Sequence, residues 1–267
     1  MIRAVMLRFS ANLGFLWKDL SLLEAVRRAR AAGFDAVEFH RPYDVPAETL
    51  RAVLVETGLP AVGLNTRAGN AAAGEFGLAA LPGRGADARA AIDEALGYAG
   101  AIGAAYVHVT AGIPDAGEWP QARNAFLDSL DYASGLAAAN GRVMIVIEPL
   151  NARDMPGYFL RTSGEAAEIV RELGHDNVRI LFDCYHAQIS EGNLARRIEN
   201  LLPSIGHIQI AAVPSRREPD EGEIAYDRLL EAVDAMGYAG FIGAEYSPRD
   251  GVEEGLGWMR AMRSASG

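Results

Sequence analysis

Along the chain, short apolar runs alternate with longer stretches in which apolar residues recur at helical spacing. The short runs are Val5–Phe9, Ala36–Phe39, Ala61–Leu64, Tyr106–Val109, Val143–Ile147, Val178–Phe182, His207–Ile210 and Phe241–Ala244. Their length fits strands. Between them lie Leu22–Ala32, Pro46–Thr57, Ala86–Ile102, Trp119–Ala139, Ser163–Leu173, Asn193–Leu201, Ala225–Met236 and Gly251–Met262, which read as amphipathic or Ala-rich helices. Strict alternation of strand and helix predicts βαβ crossovers and parallel pairing. An open doubly wound sheet would also satisfy that order. Eight units in an undivided chain, with no nucleotide fingerprint, favour an α/β fold closed into one (β/α)8 barrel (a TIM barrel) spanning residues 1–267. Gly33, Gly58, Gly103, Gly141, Gly174 and Gly237 fall just past a predicted helix, where a left-handed residue is wanted.

The polar residues at the strand ends carry the chemical information. The fifth run stops at Glu148, the sixth at Asp183 and the eighth at Glu245, and the seventh carries His207 and Gln209. Side chains alternate between the two faces of a strand. Ile208 and Ile210, or Ile242 and Ala244, suit the helix layer, which turns Gln209, Gly243 and Glu245 into the barrel. The same phase turns Val146, Glu148, Leu181 and Asp183 inward. Glu148, Asp183, Gln209 and Glu245 therefore converge from consecutive strands. Carboxylates packed together must share protons or bind a cation. An all-oxygen set of carboxylates and an amide suits one divalent metal ion, Mg²⁺ or Mn²⁺, better than zinc. The irregular stretches Thr66–Gly85, Ala111–Glu118 and Ala211–Glu223 all follow strands, so they share the C-terminal face, where barrel active sites lie. Glu38 reads more readily as a rim or ion-pair residue than as part of a site, and His108 and His207 as satisfied interior histidines.

Composition narrows the classes. With 35 acidic and 25 basic side chains, a formal charge of −10, neither nucleic acid nor a membrane surface is the expected partner. The one cysteine, Cys184, allows no intrachain disulfide and reads as a buried structural thiol. The only lysine, Lys18, lies in a polar-flanked stretch, which speaks against Schiff-base chemistry. No signal peptide or transmembrane-length run is apparent, so the expected compartment is the cytoplasm.

Four segments share a resemblance that covers essentially the whole chain in order. They are Glu148-Pro-Leu-Asn-Ala-Arg-Asp-Met-Pro-Gly-Tyr-Phe159, Phe182-Asp-Cys-Tyr-His-Ala-Gln-Ile-Ser-Glu-Gly192, Gly206-His-Ile-Gln-Ile-Ala-Ala-Val-Pro-Ser-Arg-Arg-Glu-Pro219, and Gly243-Ala-Glu-Tyr with Gly255-Leu-Gly-Trp258. Ala72–Arg84 adds the long third loop and Gly33–Phe39 the second strand. Together they resemble the hydroxypyruvate isomerase family, within the sugar isomerase/epimerase group of xylose-isomerase-like barrels. The resemblance implies a divalent metal held by Glu148, Asp183, Gln209 and Glu245, with Glu148 and Glu245 as the proton-transfer pair. It implies substrate contacts from His186, Arg216 and Asp154. The sequence departs from the pattern at Ala212, where relatives often have Asp, and at Asn70-Ala71, where an Asp-Trp pair is common.

The implied reaction is an aldose–ketose isomerisation through an enediolate, with a small anionic hydroxy-carbonyl compound as partner. Hydroxypyruvate would give 2-hydroxy-3-oxopropanoate, and Arg216 is the expected anchor for its carboxylate. The same residues would serve a 2-oxo-tetronate isomerase or an epimerase of a small ketose. A metal-dependent phosphodiesterase on a related barrel would need more histidine ligands and a basic groove. A non-catalytic barrel would not need the acidic quartet. A homo-oligomer is left open.

Overall fold

A computed structural model describes residues 7–139, 141 and 143–265. The strands are β1 (Phe9–Asn12), β2 (Ala36–Glu38), β3 (Gly63–Asn65), β4 (Tyr106–His108), β5 (Met144–Ile147), β6 (Val178–Asp183), β7 (Ile205–Ile210) and β8 (Ile242–Ala244). They form an 8-stranded sheet in the order β2-β1-β8-β7-β6-β5-β4-β3, with every pairing parallel. Between β2 and β3 a parallel bridge joins Val37 to Ala61, and backbone hydrogen bonds run from Val62 to Val37, Phe39 to Gly63 and Asn65 to His40. The sheet thus closes on itself as a (β/α)8 barrel.

The helices are α1 (Leu22–Ala31), α2 (Ala47–Thr57), α3 (Gly85–Ile102), α4 (Trp119–Ala139), α5 (Ser163–Leu173), α6 (Cys184–Ser190), α7 (Leu194–Leu201), α8 (Tyr226–Ala235), α9 (Val252–Gly255) and α10 (Gly257–Ala265). Local chemistry sets their ends. Ser21 opens α1 and Thr162 opens α5 with reciprocal capping boxes to Glu24 and Glu165. Gly58 ends α2 at φ 68°, a left-handed turn that a Cβ would oppose. The other five glycines expected past helix ends also have positive φ. None of the described helices is long and apolar enough to cross a membrane.

Two separate apolar layers confirm the predicted alternation. Ile145, Ile147, Ile180, Phe182, Ile208 and Ile242 pack with the helices in the large outer core. Ala36, Val62, Tyr106, Val146 and Leu181 form their own cluster inside the barrel. Burying side chains of this size contributes ~1.5–3 kcal/mol each against exposure, which fixes the phase of every strand.

The structure corrects three boundaries. The first strand does not run over Val5–Phe9. Residues 5 and 6 lie outside the described set, and the strand begins at Phe9 and continues through Ser10, Ala11 and Asn12. Its polar members face inward, so apolarity alone ended it too early. A short helix, α6, starts directly after β6, capped by the Asp183 side chain accepting from the Tyr185 N–H at 2.8 Å. Its seven residues are too few for a periodic signal. The last predicted helix is broken into α9 and α10 at Leu256, beside Gly255, where a Cβ would meet Glu218 Oε1 at 2.4 Å.

Candidate active site

A cavity of about 440 Å³ opens among the loops that follow the strands. Glu148, Asp154, His186, Arg216 and Glu245 all line it. Asp183 and Gln209 lie beneath it, buried at the ends of β6 and β7. The residues predicted from strand phase therefore do converge. Glu148, Asp183 and His186 can each offer one atom within 4.8 Å of the others, the group among the described residues that could hold a metal ion. The expected quartet is arranged differently. Both Glu245 oxygens are engaged: Oε1 accepts from Asn12 Nδ2 at 2.8 Å and lies 3.1 Å from His40 Nε2, and Oε2 accepts from Arg216 at 2.8 Å.

The three carboxylates are electrostatically unequal. Burial, then the charges of Glu245 and Asp183, pushes Glu148 well above the ordinary carboxylate range. Burial and the Glu245 charge raise Asp183 to about 7. Burial also opposes ionisation of Glu245, but the His40 hydrogen bond and the Arg216 cation outweigh it and hold its carboxyl at about 2. Three acceptor oxygens remain without a partner: Glu148 Oε1, Asp183 Oδ2 and Gln209 Oε1. A buried acceptor without a donor costs ~1–3 kcal/mol, more when charged, so three on adjacent strands fit a bound cation.

Gln209 owes its orientation to Glu38. Its Nε2 donates to Glu38 Oε2 at 3.0 Å and more weakly to Glu245 Oε1 at 3.4 Å, which leaves Oε1 as the free end. Glu38 is an interior residue rather than a rim residue, 1 % exposed. It also accepts from Ser10 Oγ and Tyr106 Oη, each at 3.0 Å, and lies 3.1 Å from His207 Nε2. His207 is thus the satisfied interior histidine expected. His108 is not: both ring nitrogens lack a hydrogen bond, Nδ1 stands 3.5 Å from Glu148 Oε2, and burial lowers its pKa to about 3. Gly243 makes room for this cluster. A Cβ there would meet Glu38 Oε1 at 2.3 Å, Gln209 Cγ at 2.7 Å and His207 Nε2 at 2.8 Å. Gly243→Ala is expected to destabilise the protein by ~1–3 kcal/mol through overpacking, read as a lower urea midpoint. An unchanged midpoint would show that the cluster parts freely.

His186 has a readable tautomer. Its Nδ1 accepts from the Asn151 backbone N–H at 3.2 Å, and Asn151 Nδ2 lies 2.7 Å away. A backbone amide can only donate, so the ring proton sits on Nε2, 3.6 Å from Asp183 Oδ2. Burial and the Arg216 charge lower its pKa to about 3, which keeps it neutral. Asn151 also orders Asp154, whose Oδ2 accepts from Tyr185 Oη at 2.6 Å.

Arg216 comes from the loop after β7, in a left-handed backbone conformation at φ 54°. Its guanidinium lies over Phe15 and Tyr185 at 4.8 and 4.9 Å from their ring centroids. That loop is tied to the one after β8. Fully buried Glu218 accepts from the Arg249 backbone N–H at 3.1 Å and pairs with Arg249 Nε at 3.0 Å. Ser247 N–H donates to the Arg216 carbonyl at 2.8 Å. Cys184 is buried on the helix side, as strand alternation predicts.

Sequence reasoning missed Asn12, His40 and Arg41. A signal for the first two exists. Asn12 continues the inward series from Ser10, and His40 continues the one from Glu38.

These features define a class: an eight-stranded parallel barrel with an acidic, partly unsatisfied centre at its C-terminal mouth. The chain belongs to the xylose isomerase-like TIM barrel family, whose model matches residues 26–262. It is 48 % identical over 254 residues to a 2-oxo-tetronate isomerase of Cupriavidus necator, covering 95 % of this chain and 97 % of that one. It is 37 % identical to a hydroxypyruvate isomerase of Escherichia coli, covering 97 % and 100 %. A crystal structure from Brucella melitensis, described as an AP endonuclease of family 2, superposes with a TM-score of 0.93 at 40 % identity over 96 % of this chain and 99 % of that one.

Proposed function

We propose that this protein is an aldose–ketose isomerase that interconverts hydroxypyruvate and 2-hydroxy-3-oxopropanoate. The observation that carries the reading is the set of unsatisfied oxygens of Glu148, Asp183 and Gln209 below a cavity lined by Glu148 and Glu245. Glu148, Asp183 and Gln209 would hold one divalent cation, Mg²⁺ or Mn²⁺, with Glu245 reaching it when its hydrogen bonds rearrange. His186 is assigned to substrate rather than metal, because its inward nitrogen carries the proton. A bound cation would supply Lewis-acid polarisation of the 2-oxo group and so acidify the C3–H bond.

The protein groups then move the protons. One of Glu148 and Glu245 takes the C3 proton, leaving an enediolate, and a proton returns to C2 from the same pair. The hydroxyl proton passes from O3 to O2, so the product has the same atoms and no net redox change. His186 Nε2–H and the unpaired Arg216 Nε–H are donors available to the developing oxygen charge. Asp154, ordered by Tyr185 and Asn151, would accept from a substrate hydroxyl.

The same chemistry on 2-oxo-tetronate, one CHOH longer, is the second reading. It is favoured by the 48 % identity to an enzyme of that name. Incubation of each acid with the Mn²⁺-loaded protein in D₂O, followed by NMR, tests both. Conversion with solvent deuterium entering at the carbon that gains hydrogen is expected for one or both. No conversion of either acid overturns the reading.

A further inference from the structure

We infer that Arg41 is the anchor for the substrate's carboxylate, which sets the end of the cavity where the acid group lies; this rests on the proposed oxo-acid substrate. Two guanidinium groups line the cavity, Arg41 and Arg216. They differ in what they already hold. Arg216 NH2 is 2.8 Å from Glu245 Oε2 and 3.8 Å from Asp183 Oδ2, so its charge is matched before any ligand arrives. Among the described residues, Arg41 has no carboxylate within 4.0 Å and no hydrogen bond. Its guanidinium carbon lies 5.5 Å from the centroid of the Phe76 ring.

The surroundings demand such a cation. Glu148 and Glu245 line the same cavity and Asp183 lies beneath it. An anionic substrate entering this acidic centre gains little from a guanidinium whose charge is already spent on Glu245. Arg41 offers its five N–H donors uncommitted, and a guanidinium laid on an aromatic face keeps its edge free for a bidentate carboxylate. Position supports the same assignment. Arg41 follows β2 and Phe76 belongs to the loop after β3, whereas Arg216 follows β7. The carboxylate would thus lie toward the β2–β3 wall and the hydroxy-carbonyl carbons toward Glu148 and Glu245. Arg41 acts by binding, and a neutral hydroxy-ketone does not need it.

The test uses the Mn²⁺-loaded protein and the variants Arg41→Gln and Arg41→Lys. For Arg41→Gln, KM for the oxo-acid that the wild type converts is expected to rise ~10- to 100-fold, the loss for a charge-assisted hydrogen-bonded pair. The expected fall in kcat is under about fivefold, with unchanged Mn²⁺ affinity by EPR. Arg41→Lys should recover part of the KM, because it keeps the charge and loses the fork. Glycerate, which carries the carboxylate but has no oxo group to isomerise, is titrated by calorimetry, with glycerol as the neutral control. Glycerate binding is expected in the wild type and at least tenfold weaker in Arg41→Gln. Equal glycerate affinity or equal KM in wild type and Arg41→Gln overturns the assignment, as does a wild type that binds no glycerate. A wild type that binds glycerate through Arg41 but converts neither acid would instead overturn the proposed reaction.

Discussion

Glu245→Gln is expected to lower kcat by at least about 10³-fold while the protein still folds and still binds metal weakly. Gln can keep most of the geometry. Its single amide oxygen can replace Oε1, which accepts from Asn12 at 2.8 Å, or Oε2, which accepts from Arg216 at 2.8 Å, but not both, and its NH2 would face the other donor. What it loses is the proton affinity and the negative charge. General acid–base catalysis by one positioned group accounts for ~10²–10⁴-fold, and removal of the charge also leaves Arg216 uncompensated in a buried site. Steady-state kinetics with hydroxypyruvate or 2-oxo-tetronate, alongside Mn²⁺ binding by EPR, checks this. Turnover near the wild-type rate would remove Glu245 from the chemistry.

Removal of divalent metal by dialysis against EDTA is expected to abolish isomerisation and to make stability pH-dependent. Asp183 has its folded-state pKa raised to about 7, above its ordinary 3.8. The protonated form is therefore the one the metal-free fold favours. Its contribution is fully present below about pH 4 and is lost as pH rises through about 7. Glu148, raised further, acts in the same direction. Glu245, lowered to about 2, acts oppositely, but only below its ordinary value of 4.5. Between pH 5.5 and 8 the melting temperature of the metal-free protein should fall. Mn²⁺ at 100 times its Kd should raise stability by ~2.7 kcal/mol, roughly 5–10 °C for a chain of this size. The rise in apparent affinity from pH 5.5 to 8 follows from metal and protons competing for the same oxygens. A metal-free protein that is as stable at pH 8 as at pH 5.5, or full activity in EDTA, would contradict the reading.

The parts of this site visible in the sequence were those written into strand period. Glu148, Asp183 and Glu245 each close a largely apolar run, and Gln209 alternates with Ile208 and Ile210, so their inward phase could be counted. Where polar residues interrupt the run, the reading stopped early. Ser10 and Asn12 hid the true extent of β1, and with it the donor that holds Glu245. Glu38 read as a rim or ion-pair residue because its partners, Ser10, Tyr106, His207 and Gln209, come from three other strands and meet only once the barrel closes. The pairing of Arg216 with Glu245, 29 residues apart, depends on a left-handed loop conformation that no local pattern encodes. His40 lies one step past the last apolar residue of the second run and was legible only by extending the inward series from Glu38, whereas Arg41 lies where the strand phase no longer applies.

The tie between Glu218 and Arg249 has a mechanical consequence. It couples the segments after β7 and β8 into one stiff lever, with Arg216 and Glu245 riding on it together. The wall after β3 is braced differently, by backbone pairing with the segment after β4: Gly77 bridges to Ala111, and the Ala80 N–H donates to the Ala111 carbonyl at 2.7 Å. A displacement of either segment after β7 or β8 would therefore carry the Arg216–Glu245 pair with it, and the ion pair would keep its length.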